Sequence, residues 1–170
     1  MNLYQSVALG VAVAAVVSDL ATRRIPNPLT FGAALLAVAA HGYTAGWTGA
    51  GMSLAGWLLG VAFFFPVFAL GGMGAGDLKL LGALGAWLGP AAAAWVALYS
   101  GVAGGVMAVL VALFSGYLTK ALTNIWGLLM YWRVAGVRPA PELMLSSQQG
   151  PRLAYAVPVL AGLVVTLWFR

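Results

Sequence analysis

Cysteine and charge are what this chain lacks. It contains no cysteine, and only 6% of its 170 residues are charged. Without cysteine there is no disulfide, thiolate zinc site, iron–sulfur cluster or cysteine nucleophile. Soluble domains are about 25% charged, so this composition excludes a soluble enzyme, a secreted disulfide scaffold and a disordered tail. The eight Lys and Arg residues are also too few for a nucleic-acid-binding patch.

Apolar sequence is what the chain has in abundance, at 63% of its residues and a mean hydropathy of +0.99. This composition predicts an all-α polytopic membrane protein, in which each span needs about 20 apolar residues. The first span lacks the basic start of a cleaved signal peptide, so we expect it to be retained. Apolar periodicity also predicts a helix near residues 117–132, either at the cytoplasmic interface or as a prolongation of the fifth span. The six predicted spans are Leu3–Leu20, Leu29–Tyr43, Met52–Leu70, Leu78–Leu88, Ala91–Gly116 and Leu153–Phe169.

The basic residues alternate along this map. Seven of the eight Lys and Arg residues, all except Arg170, fall on odd-numbered loops, whereas the second and fourth loops carry no charge. Lys and Arg are enriched in cytoplasmic loops of membrane proteins. The odd-numbered loops are therefore predicted to be cytoplasmic and both termini extracytoplasmic.

Two of the three carboxylates lie at span boundaries. Asp19 ends the first span and Asp77 opens the fourth, so both are predicted at the cytoplasmic face at similar depth. An ionisable group at the edge of the hydrocarbon is costly and tends to be functional. The alternative is a helix-terminal acid paired with Arg23 or Lys79. The third acid, Glu142, falls in a predicted exposed loop, residues 138–150, and is expected to be solvated.

A glycine-rich run, residues 71–76, precedes Asp77. Its glycines, Gly74 and Gly76 among them, leave the backbone uncovered, so that an extended peptide can pair with it beside the carboxylate. The alternative is a flexible turn before a helix. A phosphate-binding loop is excluded because no Gly-Lys-Ser/Thr follows.

These residues resemble a known family. Gly74-Ala75-Gly76-Asp77 resembles the GxGD signature of the type IV prepilin leader peptidases, and residues 19–27 resemble their other block, an Asp followed by a basic residue and Ile-Pro-Asn. Residues 154–157 are similar to the family's last-span motif, although Ala154 stands where proline is common. The resemblance covers nearly the whole chain in the order of its motifs and the number of spans.

The differences from longer family members are also informative. Those members carry an N-terminal cytoplasmic domain with paired Cys motifs, which is linked to methylation. The resemblance therefore implies a single peptidase domain over residues 1–170, without methyltransferase activity, zinc or another cofactor, similar to the minimal peptidases of Flp-type tight-adherence pili. The presenilin-like GxGD enzymes carry Tyr-Asp at the first aspartate, whereas here Ser18 precedes Asp19.

The resemblance implies an aspartic endopeptidase of the bacterial inner membrane. Asp19 and Asp77 would form the catalytic pair and share a proton, with their individual roles left open. The substrate would be a prepilin or pseudopilin whose transmembrane helix follows a short basic leader. Cleavage would follow a glycine at the cytoplasmic face, with a glutamate a few residues beyond. That glutamate would be held by Arg23, Arg24 or Lys79, unless these residues only fix topology.

Further expectations concern residues outside the pair. Pro26 and Asn27 are expected to shape the turn into the second span. Lys79 is also placed to bias the pKa of the pair. His41 is predicted at the opposite face and, without other candidate ligands near it, is expected to be inert.

Two other functions remain open from sequence. A proton-coupled carrier or small channel would use Asp19 and Asp77 as a relay, but it would place them near the middle of the bilayer and show related halves. A non-catalytic subunit of a pilus or secretion apparatus would tolerate Asp→Asn changes at both positions.

Overall fold

The computed structural model describes residues 1–138 and 153–169, and all regular structure within these ranges is α-helical. The predicted fold class is therefore confirmed. The loop expected at residues 138–150, with Glu142, lies almost wholly outside the described residues. The helices are α1 (Leu3–Thr22), α2 (Asn27–Ala69), α3 (Ala75–Leu88), α4 (Pro90–Phe114), α5 (Leu118–Ala135) and α6 (Ala156–Phe169).

Helix α2 contains a reversal that divides it into two limbs. Its 43 residues are interrupted by non-helical backbone at Ala45 and Gly46, the latter with φ of 61°. Residues on either side of this break approach each other, since a Cβ at Gly42 would lie 3.7 Å from Ala50 Cβ. Residues 27–44 and 47–69 thus form the second and third predicted spans. The loop predicted between them is reduced to a two-residue break.

The second limb of α2 packs closely against α3 because both helices present small residues. A Cβ at Gly56 would collide with the carbonyl oxygen of Gly85, and a Cβ at Gly60 with that of Leu81. Ser53 Oγ donates a buried hydrogen bond of 2.8 Å to Ala86 O. Small residues allow membrane helices to approach backbone to backbone. This contact makes α3 the central helix, and all of its residues from Leu80 to Trp87 are buried.

Three helices, α1, α2 and α4, are long and apolar enough to cross a membrane. Helices α3 and α6 have 14 residues each and are shorter than an ordinary span. Helix α5 has no buried residue. The bounds of α5, Leu118–Ala135, confirm the predicted helix near residues 117–132. Its location at the bilayer interface stays a prediction.

The helix directions place two groups of residues at opposite ends of the bundle. One end contains the end of α1, the start of α2, the start of α3 and the start of α6. The other contains the α2 reversal and the end of α3, where His41 Nε2 lies 3.2 Å from Trp87 O. The two aspartates, Asp19 and Asp77, lie at the first end.

Candidate active site

Asp19 is a buried carboxylate in the last turn of α1, with 8% of its surface exposed. Its Oδ2 lies 3.5 Å from the backbone N–H of Ala156, the first residue of α6. The first N–H groups of a helix have no partner within the helix and carry partial positive charge. The start of α6 therefore supplies a hydrogen-bond donor to the carboxyl group of Asp19.

Asp77 is half-buried in the first turn of α3, just before the apolar segment Leu78–Leu88. Burial, and next the charge of Asp19, raise the pKa of Asp77 from 3.8 to about 7. Hydrogen bonds from the backbone N–H groups of Gly74 and of Asp77 itself act in the opposite direction. The effect of Asp19 on Asp77 means that the two carboxyl groups interact electrostatically.

Both glycines of the Gly-x-Gly-Asp sequence lie close to a neighbouring group. A Cβ at Gly74 would lie 3.1 Å from Asp77 Oδ2, and a Cβ at Gly76 would lie 3.2 Å from Ile25 Cβ. The first glycine thus makes room for the carboxyl group. The second lets the loop between α1 and α2 pack on the start of α3.

A cleft of about 450 Å³ lies between these segments. Both aspartates line it, together with backbone and side chains of the two predicted sequence blocks. The structure thus brings together six of the seven predicted site residues, all but Lys79. The lining residues are Asp19, Arg23, Arg24, Ile25, Pro26, Asn27, Gly74, Ala75, Gly76 and Asp77.

Lys79 has a different position from the two arginines. Its Nζ donates a hydrogen bond of 3.0 Å to Asn27 Oδ1 and lies 5.2 Å from the centroid of the Phe31 ring. The ammonium group therefore joins the start of α3 to the start of α2. To reach a substrate in the cleft, Lys79 would have to leave these partners.

The turn between α1 and α2 is held by hydroxyl groups of α1. Ser18 Oγ donates to Arg24 O at 2.8 Å, and Thr22 Oγ1 donates to the same oxygen at 3.2 Å. Pro26, at the N-terminal boundary of α2, has the extended backbone typical of that position. The sequence drew attention to Ser18 only as the neighbour of Asp19 and did not predict its role in the turn.

Two contacts of the site were not predictable from motifs. The Ala156 amide reaches Asp19 across 137 positions in the chain, and the pair Lys79–Asn27 spans 52.

At the opposite end, His41 also has a partner, because it bonds to Trp87 O and its ring lies 4.3 Å from that of Tyr4. Trp87 O is one of the last carbonyls of α3, so His41 caps that helix.

Comparison with known proteins identifies the family. A model of the type IV leader peptidase family matches residues 6–109, which is more than half of the chain. The chain belongs to the type IV leader peptidase family. No curated protein and no solved structure matches it.

The part of the chain matched to the type IV leader peptidase family contains both sequence blocks that line the cleft. It starts within α1 and ends within α4, so it includes Asp19 and Asp77 but not the segment at residues 154–157. A peptidase-type function in a helical membrane protein follows from this membership and from the apolar helices.

Proposed function

We propose that the protein is a membrane-embedded aspartic endopeptidase that removes the basic leader of Flp-type prepilins or pseudopilins. The observation that carries this proposal is the cleft that both aspartates line. Each aspartate belongs to one of the two sequence blocks that resemble the family. The family match supports a leader peptidase in general, and the substrate type rests on the resemblance to the minimal Flp peptidases.

The chemistry requires one ionised and one protonated carboxyl group. The ionised group removes a proton from water as the water oxygen attacks the scissile carbonyl carbon, and the protonated group donates to the carbonyl oxygen. The raised pKa of Asp77, about 7, leaves a large fraction of this carboxyl group protonated at neutral pH. We therefore assign the proton donor to Asp77 and the base to Asp19, whose Oδ2 faces the amide of Ala156.

The second half of the reaction restores the pair. The proton taken up by Asp19 passes to the amide nitrogen as the C–N bond breaks, and Asp77 recovers a proton from a hydroxyl of the tetrahedral intermediate. The products are a carboxylic acid and an amine, and the pair returns to its starting protonation.

The remaining cleft residues are assigned to substrate binding. Gly74 and Gly76 leave backbone accessible beside Asp77, so an extended peptide can pair with it. Arg23 and Arg24 line the cleft and contribute positive charge there. Lys79 contributes by holding Asn27, a cleft residue, against the start of α3.

The location that fits this proposal is the bacterial inner membrane, with the cleft on the cytoplasmic side. The basic residues Arg23, Arg24 and Lys79 at the aspartate end of the bundle favour this orientation. The carrier alternative is less well supported, because both aspartates lie at helix ends beside loops rather than midway along a span.

Co-expression with a Flp-type prepilin tests the proposal, with leader removal followed by gel shift. We expect the wild type to cleave, and Asp19→Asn and Asp77→Asn each to lower the rate by at least about 10²-fold, because each removes one proton-transfer group. The matched control is Glu142→Gln, which changes the third acid of the chain and should cleave normally. If either aspartate variant cleaves like the wild type, the catalytic pair is wrong, and a silent pair would favour the non-catalytic subunit.

A further inference from the structure

The start of α6 packs against a notch in α4 at Gly104. Tyr155, the residue just before α6, is half-buried, and its ring fills this notch. A Cβ at Gly104 would lie 2.7 Å from both Oη and Cε2 of Tyr155. Carbon atoms in ordinary contact are about 3.5–4.0 Å apart, so a methyl group at this position displaces the ring. Tyr155 therefore occupies the space that a side chain at position 104 would need.

Other contacts hold the same ring and the same end of α6. Tyr155 Oη donates a hydrogen bond of 3.4 Å to Ser100 O, one turn before Gly104 on α4. The ring also lies edge-on to that of Phe64 of α2, with centroids 6.0 Å apart. A Cβ at Gly162 of α6 would collide with Ser100, so the body of α6 approaches α4 as well. Since the hydrogen bond is long, packing of the ring provides most of the attachment of Tyr155.

Tyr155 is connected directly to the aspartate pair. It precedes Ala156, whose backbone N–H donates to Asp19 Oδ2. Because the peptide group between Tyr155 and Ala156 is planar and rigid, a movement of the Tyr155 backbone also moves this donor. The charge of Asp77 also acts on the hydroxyl group of Tyr155, so the residue lies near the second aspartate too.

Neither Tyr155 nor α4 contributes to the lining of the cleft. Within residues 1–138 and 153–169, the lining residues come from the segments around Asp19 and Asp77. An influence of Tyr155 on the reaction therefore has to pass through another group, and the adjacent amide of Ala156 is the group that reaches the pair.

We propose that Tyr155 is a positioning residue of the catalytic pair, whose ring, packed in the notch at Gly104, fixes the first peptide group of α6 against Asp19. This inference rests on the proposed function. Proton transfer to and from the scissile peptide requires both carboxyl groups in one fixed arrangement, and a displacement of about 1 Å can lower a rate about 10²-fold. Through Gly104 and Tyr155, α4 takes part in the peptidase site without lining the cleft.

The test is a double-mutant cycle with two further variants. The cycle consists of the wild type, Gly104→Ala, Tyr155→Ala and the double variant. Tyr155→Phe keeps the ring and removes only the hydroxyl group. The matched control is Gly105→Ala, because Gly105 is exposed on the same helix and a Cβ there would meet nothing within 4 Å. All proteins are purified in detergent, and kcat and KM on a Flp-type prepilin are measured well below the lowest Tm of the set.

We expect Gly104→Ala and Tyr155→Ala each to lower kcat by about tenfold or more, with KM within about twofold of the wild type. The double variant should be at most about twofold slower than Tyr155→Ala, since the notch has no function once the ring is absent. Tyr155→Phe should keep kcat within about threefold of the wild type, because the ring provides most of the attachment. Gly105→Ala should cleave like the wild type.

Several results would overturn the proposal. A wild-type kcat in Gly104→Ala would show that the notch does not position the ring. Equal losses in Gly104→Ala and Gly105→Ala would mean that any added methyl group on this part of α4 disturbs the protein. Additive losses in the double variant would show that the two residues act separately, and a loss through KM alone would indicate a role in substrate binding.

Two more outcomes separate the parts of the argument. A loss in Tyr155→Phe as large as that in Tyr155→Ala would assign the effect to the hydroxyl group and overturn positioning by the ring. A wild type that cleaves no prepilin would refute the proposed function itself and this proposal with it, before any variant is compared.

Discussion

At the scale of single residues, Asp77 shows how the pKa of a carboxyl group is raised to about 7. Burial and the charge of Asp19 outweigh the two backbone donors that favour its ionised form. The pKa of the folded protein is about 7, whereas an unperturbed aspartate titrates at 3.8. Between these values the folded state keeps a proton that the unfolded state has lost. The stability that this group contributes is thus full below pH 3.8 and is lost as the pH rises to about 7.

This linkage predicts a pH-dependent stability that Asp77 causes. The Tm of the wild type in detergent should fall as the pH is raised from 5 to 8, within the window that the pKa of about 7 defines. Asp77→Asn, which cannot ionise, should show a weaker dependence and should be more stable than the wild type at pH 8. Thermal unfolding at several pH values measures both. Parallel curves for the two proteins would show that Asp77 is not the responsible group.

At the scale of elements, the contact between α2 and α3 positions the aspartate of α3. It depends on glycines that approach a backbone on the facing helix, as Gly56 approaches Gly85. A single methyl group at such a place cannot be accommodated without moving a helix. The position of Asp77 relative to Asp19 therefore depends on residues of α2 and α3 that lie far from Asp77 along the chain.

Gly56→Ala is accordingly expected to destabilise the protein by about 1–3 kcal/mol, which overpacking typically costs. Gly51→Ala is the matched control, because Gly51 lies in the same limb of α2 and a Cβ there would meet nothing within 4 Å. It should leave the Tm unchanged or raise it, since alanine favours helix over glycine. Thermal unfolding in detergent checks both variants. Equal behaviour of the two would show that the close contact does not constrain the fold.

The sequence predicted most element positions because long apolar runs bounded by Gly, Pro and charge determine them. Helix α4 was expected at Ala91–Gly116 and is found at Pro90–Phe114. The loop expected between the second and third spans was too long, because Thr44 and Thr48 remain helical and Thr44 Oγ1 bonds back to Ala40 O. Helix α6 begins at Ala156, three residues later than the predicted span.

The site residues that sequence motifs and the alternation of basic loops indicate were predicted. The contacts between residues far apart in the chain were not. The alternation of basic loops was enough to place Asp19 and Asp77 at one end of the bundle. It could not reveal that Lys79 bonds to Asn27 or that α6 begins beside Asp19, since neither contact leaves a periodic trace in the sequence. The left-handed backbone of Arg23 was also unexpected, because glycine is the usual residue there.

At the scale of the whole molecule, the two ends of the bundle are predicted to face opposite sides of the membrane. The absence of cysteine makes this testable, because an introduced cysteine is the only thiol of the chain. Thr48→Cys, near the α2 reversal, and Thr119→Cys, at the start of α5, change exposed residues on loops predicted to face opposite sides of the membrane. A membrane-impermeant maleimide on intact spheroplasts should label Thr48→Cys directly and Thr119→Cys only after permeabilisation. The unchanged chain should not be labelled, and the reverse pattern would invert the topology and place the cleft outside the cytoplasm.

The bond between Asp19 and Ala156 also has a consequence for biogenesis. Its partners are 137 positions apart, one in the first helix and one in the last described helix. At a synthesis rate of about 5–20 residues per second, several seconds pass before α6 exists to meet α1. During that interval the nascent chain already contains both aspartates, yet Asp19 lacks its amide donor. The contact between α1 and α6 is therefore a late step of membrane insertion, which waits until α6 has been made.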